Sequence, residues 1–135
     1  MHAHATGSFD VEIVPQPATD AVLGRMTLAK TLTGDLTGTS RGQMLTAMTA
    51  VKGSAGYVAV EQVDAVLHGR SGSFALMHSG TMNRGVPKLS ITVVPDSGTG
   101  ALAGIAGDFR IEIAGGKHLY QFDYSLPDAN AAPTP

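Results

Sequence analysis

Two ionisable residues, Glu61 and His78, interrupt otherwise apolar alternating patterns in the stretches GYVAVEQVDAVLHG and SFALMHSGTM. A carboxylate beside an imidazole in apolar surroundings tunes both groups toward neutral pH and equips them for proton transfer. In that reading Glu61 is a general base or an orienting carboxylate, and His78 is its acid/base partner. The same two side chains could instead satisfy each other inside a core and hold strand register. Tyr57, Tyr120 and Tyr124 share the apolar face. Their hydroxyls could orient a ligand oxygen, or the rings could be core residues whose polar tips reach a rim. Lys30 alternates with Met26, Leu28 and Leu32, which suggests either an amine turned inward or one held at a barrel mouth with its head in water. The candidate ligand contacts are therefore Tyr57, Lys30, Phe74, Leu76, Ile91, Tyr120 and Tyr124.

Other residues that could carry chemistry are better explained otherwise. His2 and His4 lie two apart but lack a third ligand, so they read as a frayed or solvated end and not as a metal site. His118 opens the last strand and is expected at an exposed turn. The run SGTGALAGIAG has the wrong spacing for a dinucleotide fingerprint and leads into a hairpin, so its glycines read as turns and barrel corners. Ser71 in GRSGS sits in a hairpin turn and makes no nucleophile elbow. No cofactor and no metal is expected.

Strands must position these residues. Helix formers gather in no window, whereas Thr, Val, Ser and Gly do. Alternation bounded by Gly, Pro, Asn and Asp predicts strands at 5–14, 22–33, 36–51, 56–68, 73–83, 86–95, 107–114 and 117–126. Three turns set register. A turn at Arg70–Ser71 pairs His68 with Ser73 and puts Glu61 opposite Gly80, which leaves His78 diagonal to Glu61 and empty volume across from it. A turn at Arg84–Gly85 puts His78 opposite Ile91, and one at Gly115–Gly116 puts Ile111 opposite Tyr120. All three gather the apolar residues on one face, apart from Val58, Val60, Val66 and Met77. Eight such strands are expected to close into an antiparallel barrel, which removes exposed edges and encloses about one small ligand.

The bulk composition agrees with a single domain, residues 1–126, followed by a flexible tail, 127–135. The 135 residues include no cysteine, so disulfides and thiolate chemistry are excluded. A net charge of −2 with no Lys/Arg cluster argues against nucleic acid. No apolar run has the ~18 residues of a membrane helix, and Met1–Ser8 does not resemble a secretory signal, so a cytoplasmic protein is expected.

The stretches GYVAVEQVDAVLHGRSGSFALMHSGTM, VVPDSGTGALAGIAG and GKHLYQFDYSL, with KTLTGDLTG near Lys30, resemble a bacterial family of unknown function. The resemblance runs from about Ala3 to Leu126. It implies an allene-oxide-cyclase-like, calycin-type barrel, a fold shared with dirigent proteins, and it marks Lys30, Glu61, Gly69, Gly72, His78 and Tyr120 as family-typical. It implies no agreed activity. Three functions follow from these readings. The first is an isomerase, cyclase or lyase moving protons at Glu61 and His78 on a small apolar substrate. The second is a non-catalytic, lipocalin-like binder. The third is a filled barrel used as a homo-oligomeric module, which the outward apolar residues favour.

Overall fold

The computed structural model describes residues 1–17 and 20–127. Its eight strands are β1 (His2–Pro15), β2 (Leu23–Gly34), β3 (Leu36–Met48), β4 (Ala55–Leu67), β5 (Arg70–Asn83), β6 (Val86–Val93), β7 (Ala106–Ala114) and β8 (Lys117–Ser125). Each pairs antiparallel with the next, and β1 pairs with β8, which closes the barrel. The boundaries agree with the alternation to within a few residues at most ends. Of the tail expected at 127–135, residues 128–135 lie outside the described residues.

Two of the three turns stand where the sequence puts them, and the third does not. The β4–β5 turn is His68–Gly69, both with positive φ (47° and 82°), and Leu67 faces Arg70 across it. Two successive left-handed residues make the turn whose twist matches the flanking strands. Gly69 therefore belongs inside the turn, and Arg70 and Ser71 are already strand. The same pattern builds Arg84–Gly85, with φ of 48° and 89°. Gly72 is glycine for another reason: a Cβ there would stand 2.1 Å from the Thr99 carbonyl oxygen of the covering loop.

The corrected turn moves Ser73 from His68 to Asp64, and Glu61 from Gly80 to Leu76. Four residues is an even slip, and side chains alternate with period two, so every residue keeps its face. His78 stays diagonal to Glu61, now two residues beyond its direct partner and not two before it. The empty volume expected at Gly80 is not there. Gly80 faces Tyr57, and a Cβ on it would lie 2.3 Å from Tyr57 Cε1, so the ring covers the glycine.

One end of the lumen is packed solid. Phe74 stacks on Phe122 with centroids 5.6 Å apart, and Phe109 stacks on Tyr120 at 5.4 Å. The segment after β6 caps this end with a short 3-10 turn, Gly100–Leu102, burying Leu102 and Ile105. Phe74, Leu76, Ile91, Tyr120 and Tyr124 all belong to this core. At the other end the inward residues Ile13, Met48, Met82, Leu89 and Ile113 are exposed, so the barrel has a mouth. The seam between β6 and β7 is short: Thr92 opposite Asp108 is their only paired position.

Candidate functional site

Between the packed end and the mouth, four polar side chains meet inside the barrel. Lys30 of β2, Ser40 of β3, Glu61 of β4 and His78 of β5 come from four successive strands, and all are buried. Lys30 faces Ser40 directly, Gly42 faces Glu61, and Glu61 has His78 on its diagonal. Glu61 is 1% exposed and His78 4%. Lys30 Nζ lies 3.0 Å and His78 Nε2 2.9 Å from the same oxygen, Glu61 Oε1. Ser40 Oγ donates to Oε2 at 2.9 Å. Three donors thus satisfy one carboxylate, as a buried charge requires. Lys30 Nζ also sits 4.7 Å from the Phe9 ring centroid, a cation–π distance.

Burial is the largest influence on Glu61 and pushes its carboxyl up. The His78 hydrogen bond, then the positive charges of Lys30 and His78 and the Lys30 hydrogen bond, together more than reverse it and hold the group down at about 2. Glu61 is accordingly an ionised anchor across the neutral range. Of the two roles read from the sequence, orienting carboxylate and general base, this geometry fits the first.

A carboxylate only accepts, so His78 Nε2 carries a hydrogen and donates it to Glu61. Among the described residues Nδ1 has no hydrogen-bond partner and keeps some exposure, and His78 itself lines the lumen. A cavity of about 140 Å³ lies there, lined by Lys30, His78, Tyr57 and His118 among Phe9, Val11, Ile13, Leu28, Met44 and Ile111. This volume suits a benzene-sized guest. Tyr57 is half-buried, its ring centroid 6.3 Å from that of His78. Burial, and then the negative charge of Glu61, raise the Tyr57 phenol, so it stays a hydroxyl donor.

The structure brings together Glu61, His78, Lys30 and Tyr57 from the sequence-derived set. Phe74, Leu76, Ile91, Tyr120 and Tyr124 belong to the core and do not line this cavity, although Leu76 faces Glu61 and Ile91 faces His78 across their strand pairs. Lys30 is not at the mouth with its head in water; Glu61 holds it inside. The Tyr120 hydroxyl is engaged by backbone, accepting from Leu36 N at 2.9 Å and lying 2.9 Å from the Thr33 carbonyl. That of Tyr124 meets His68 Nδ1.

Two residues escaped the sequence reading. His118 is half-buried, not exposed at a turn, with its ring 5.1 Å from that of Phe9. Tyr120, Phe122 and Tyr124 share its parity, and that signal puts His118 inside. Ser40 would have been found by extending the β2–β3 register to the position facing Lys30. His2 and His4 are in β1, where His4 Nδ1 pairs with Asp123 on the exposed face and not with a metal cluster. Among the described residues no set of three metal-ligating side chains converges, and no helix is long and apolar enough to cross a membrane.

Fold and site together define a closed eight-stranded antiparallel barrel with a buried ionic cluster flooring an open-ended lumen. Residues 5–124 match the model of the family described as "Protein of unknown function (DUF3224)", and the chain belongs to that family. A solved structure of a family member of unknown function from Shewanella oneidensis MR-1 is 48% identical, with a TM-score of 0.90. The match covers 96% of this chain and 100% of that one. No curated protein matches the chain.

Proposed function

We propose that the barrel binds a compact, largely apolar molecule through one carbonyl-type oxygen, and that it moves a proton on that molecule without a cofactor. The observation that carries this reading is that His78, whose Nδ1 has no hydrogen-bond partner among the described residues, lines one small cavity together with two donor-bearing residues, Lys30 and Tyr57. Glu61 accepts one hydrogen from Lys30, and the others remain for a ligand oxygen. Donors at the oxygen make the hydrogens on the adjacent carbon acidic by stabilising the enolate. A neutral His78 takes such a proton on Nδ1 and returns it to another carbon, which is an isomerisation. Glu61 is a positioning residue in this scheme. It fixes the tautomer and direction of the imidazole and places the Lys30 head.

The test needs no knowledge of the natural substrate. Small ketones such as cyclohexanone and acetophenone are titrated by NMR, and exchange of their α-hydrogens is followed in deuterated water. Saturable shifts at Lys30, His78 and Tyr57, with α-exchange that His78→Ala abolishes, are expected. Binding without protein-dependent exchange would leave the non-catalytic binder. That second reading is favoured by the apolar walls of the cavity, which need no chemistry to hold a guest. Shifts confined to the outer surface would overturn both.

A further inference from the structure

The open half of the lumen holds two adjoining cavities. Beside the cavity floored by Lys30 and His78 lies a second of about 300 Å³, whose lining includes Met44, Met48, Met82, Pro87 and Leu89. Tyr57 and Met44 line both chambers. The Tyr57 ring lies over Gly80, the residue directly across the β4–β5 pair, which holds it where the two cavities adjoin. A side chain on Gly80 would drive the ring off that seat.

The geometry points to Tyr57 as the residue that sets ligand length. With the ring on Gly80, a guest anchored at Lys30 and His78 must end within the inner chamber. With the ring gone, the same guest extends into the methionine-lined chamber, whose flexible thioethers adapt to an alkyl or aryl tail. Each methylene buried there strengthens binding by about fourfold. This inference rests on the binding reading proposed above and names its size limit.

Acetophenone and its para-butyl and para-octyl derivatives are the probes, with dissociation constants measured by NMR or calorimetry on wild type, Tyr57→Phe and Tyr57→Ala. Tyr57→Phe should bind the parent ketone more weakly than wild type, for want of one donor to its oxygen, yet both should lose affinity as the chain lengthens, because the ring and not the hydroxyl sets the length limit. Tyr57→Ala should reverse that order and gain about tenfold or more for the octyl compound. Tyr57→Leu replaces it as the opened variant should Tyr57→Ala fail to fold. A length profile in the opened variant identical to wild type overturns the partition while leaving the binding reading standing. No binding of acetophenone to any folded variant overturns both.

Discussion

Lys30 and His78 meet on one atom. Each places a nitrogen about 3 Å from Glu61 Oε1, at 3.0 and 2.9 Å, although they belong to β2 and β5, with two strands, β3 and β4, between them. One carboxylate oxygen thereby ties β2, β4 and β5 together beneath the open chamber. Such a cluster is costly to desolvate and costly to break, and its worth to the protein lies in where it holds the two nitrogens.

Removing the anchor should therefore hurt more than removing the whole cluster. Glu61→Gln leaves the Lys30 charge buried without its counter-charge and should cost about 3–5 kcal/mol. Adding Lys30→Met to that variant removes the orphaned charge and should recover part of the loss. Urea denaturation of the single and double variants checks this, and a double variant no more stable than Glu61→Gln would count against it.

Acid should unfold the protein partly through Glu61. Its carboxyl sits at about 2 in the folded barrel against an ordinary 4.5, so the native state binds fewer protons than the unfolded state between those values. The stabilisation is complete above about pH 4.5 and is lost as pH falls toward 2, by an amount on the order of 3 kcal/mol. The difference in stability between wild type and Glu61→Gln, followed from pH 6 to pH 2.5, should shrink along that limb. A constant difference would show that Glu61 titrates normally.

The seat of Tyr57 on Gly80 makes a coupled pair. Gly80→Ala puts a methyl into the ring and should destabilise by about 1–3 kcal/mol. In a Tyr57→Ala background the same change has nothing to strike and should be close to neutral. A double-mutant cycle measures the coupling; strictly additive effects would mean the ring does not rest there.

Tyr120 should matter for folding and not for ligands. Its hydroxyl accepts from the buried Leu36 N–H and sits 2.9 Å and 3.0 Å from the Thr33 and Leu36 carbonyls. Tyr120→Phe leaves that N–H without its partner, at a cost of about 1–3 kcal/mol. Ketone binding at the opposite end should be unchanged, and a weakened affinity would tie the packed end to the chamber.

The candidate site was legible in the sequence as far as parity reaches. The alternation in β4 and β5 places Glu61 and His78 inward whichever turn joins them, because the difference between Arg70–Ser71 and His68–Gly69 slips the register by an even number. Tyr57 was legible as inward too, but not as the ring on Gly80, since that contact depends on the true register. His118 was within reach, two residues before Tyr120 on a strand whose inner face was already assigned. Phe74, Leu76, Ile91, Tyr120 and Tyr124 face inward as the alternation places them but do not line this cavity, and alternation carries no information about depth along the barrel.

What the sequence determined by itself is the barrel and its inside: eight alternating segments, punctuated by turn residues, with one apolar face that closure buries. These follow from local geometry, since a pleated strand sends successive side chains to opposite sides wherever it pairs. Only the tertiary structure decided that Lys30 and Ser40 join Glu61 and His78, that the loop around Leu102 fills one end, and that Tyr57 stands where two cavities adjoin at the other. Those outcomes depend on the stagger and curvature that bring distant strands to a common depth, and no spacing along the chain encodes them.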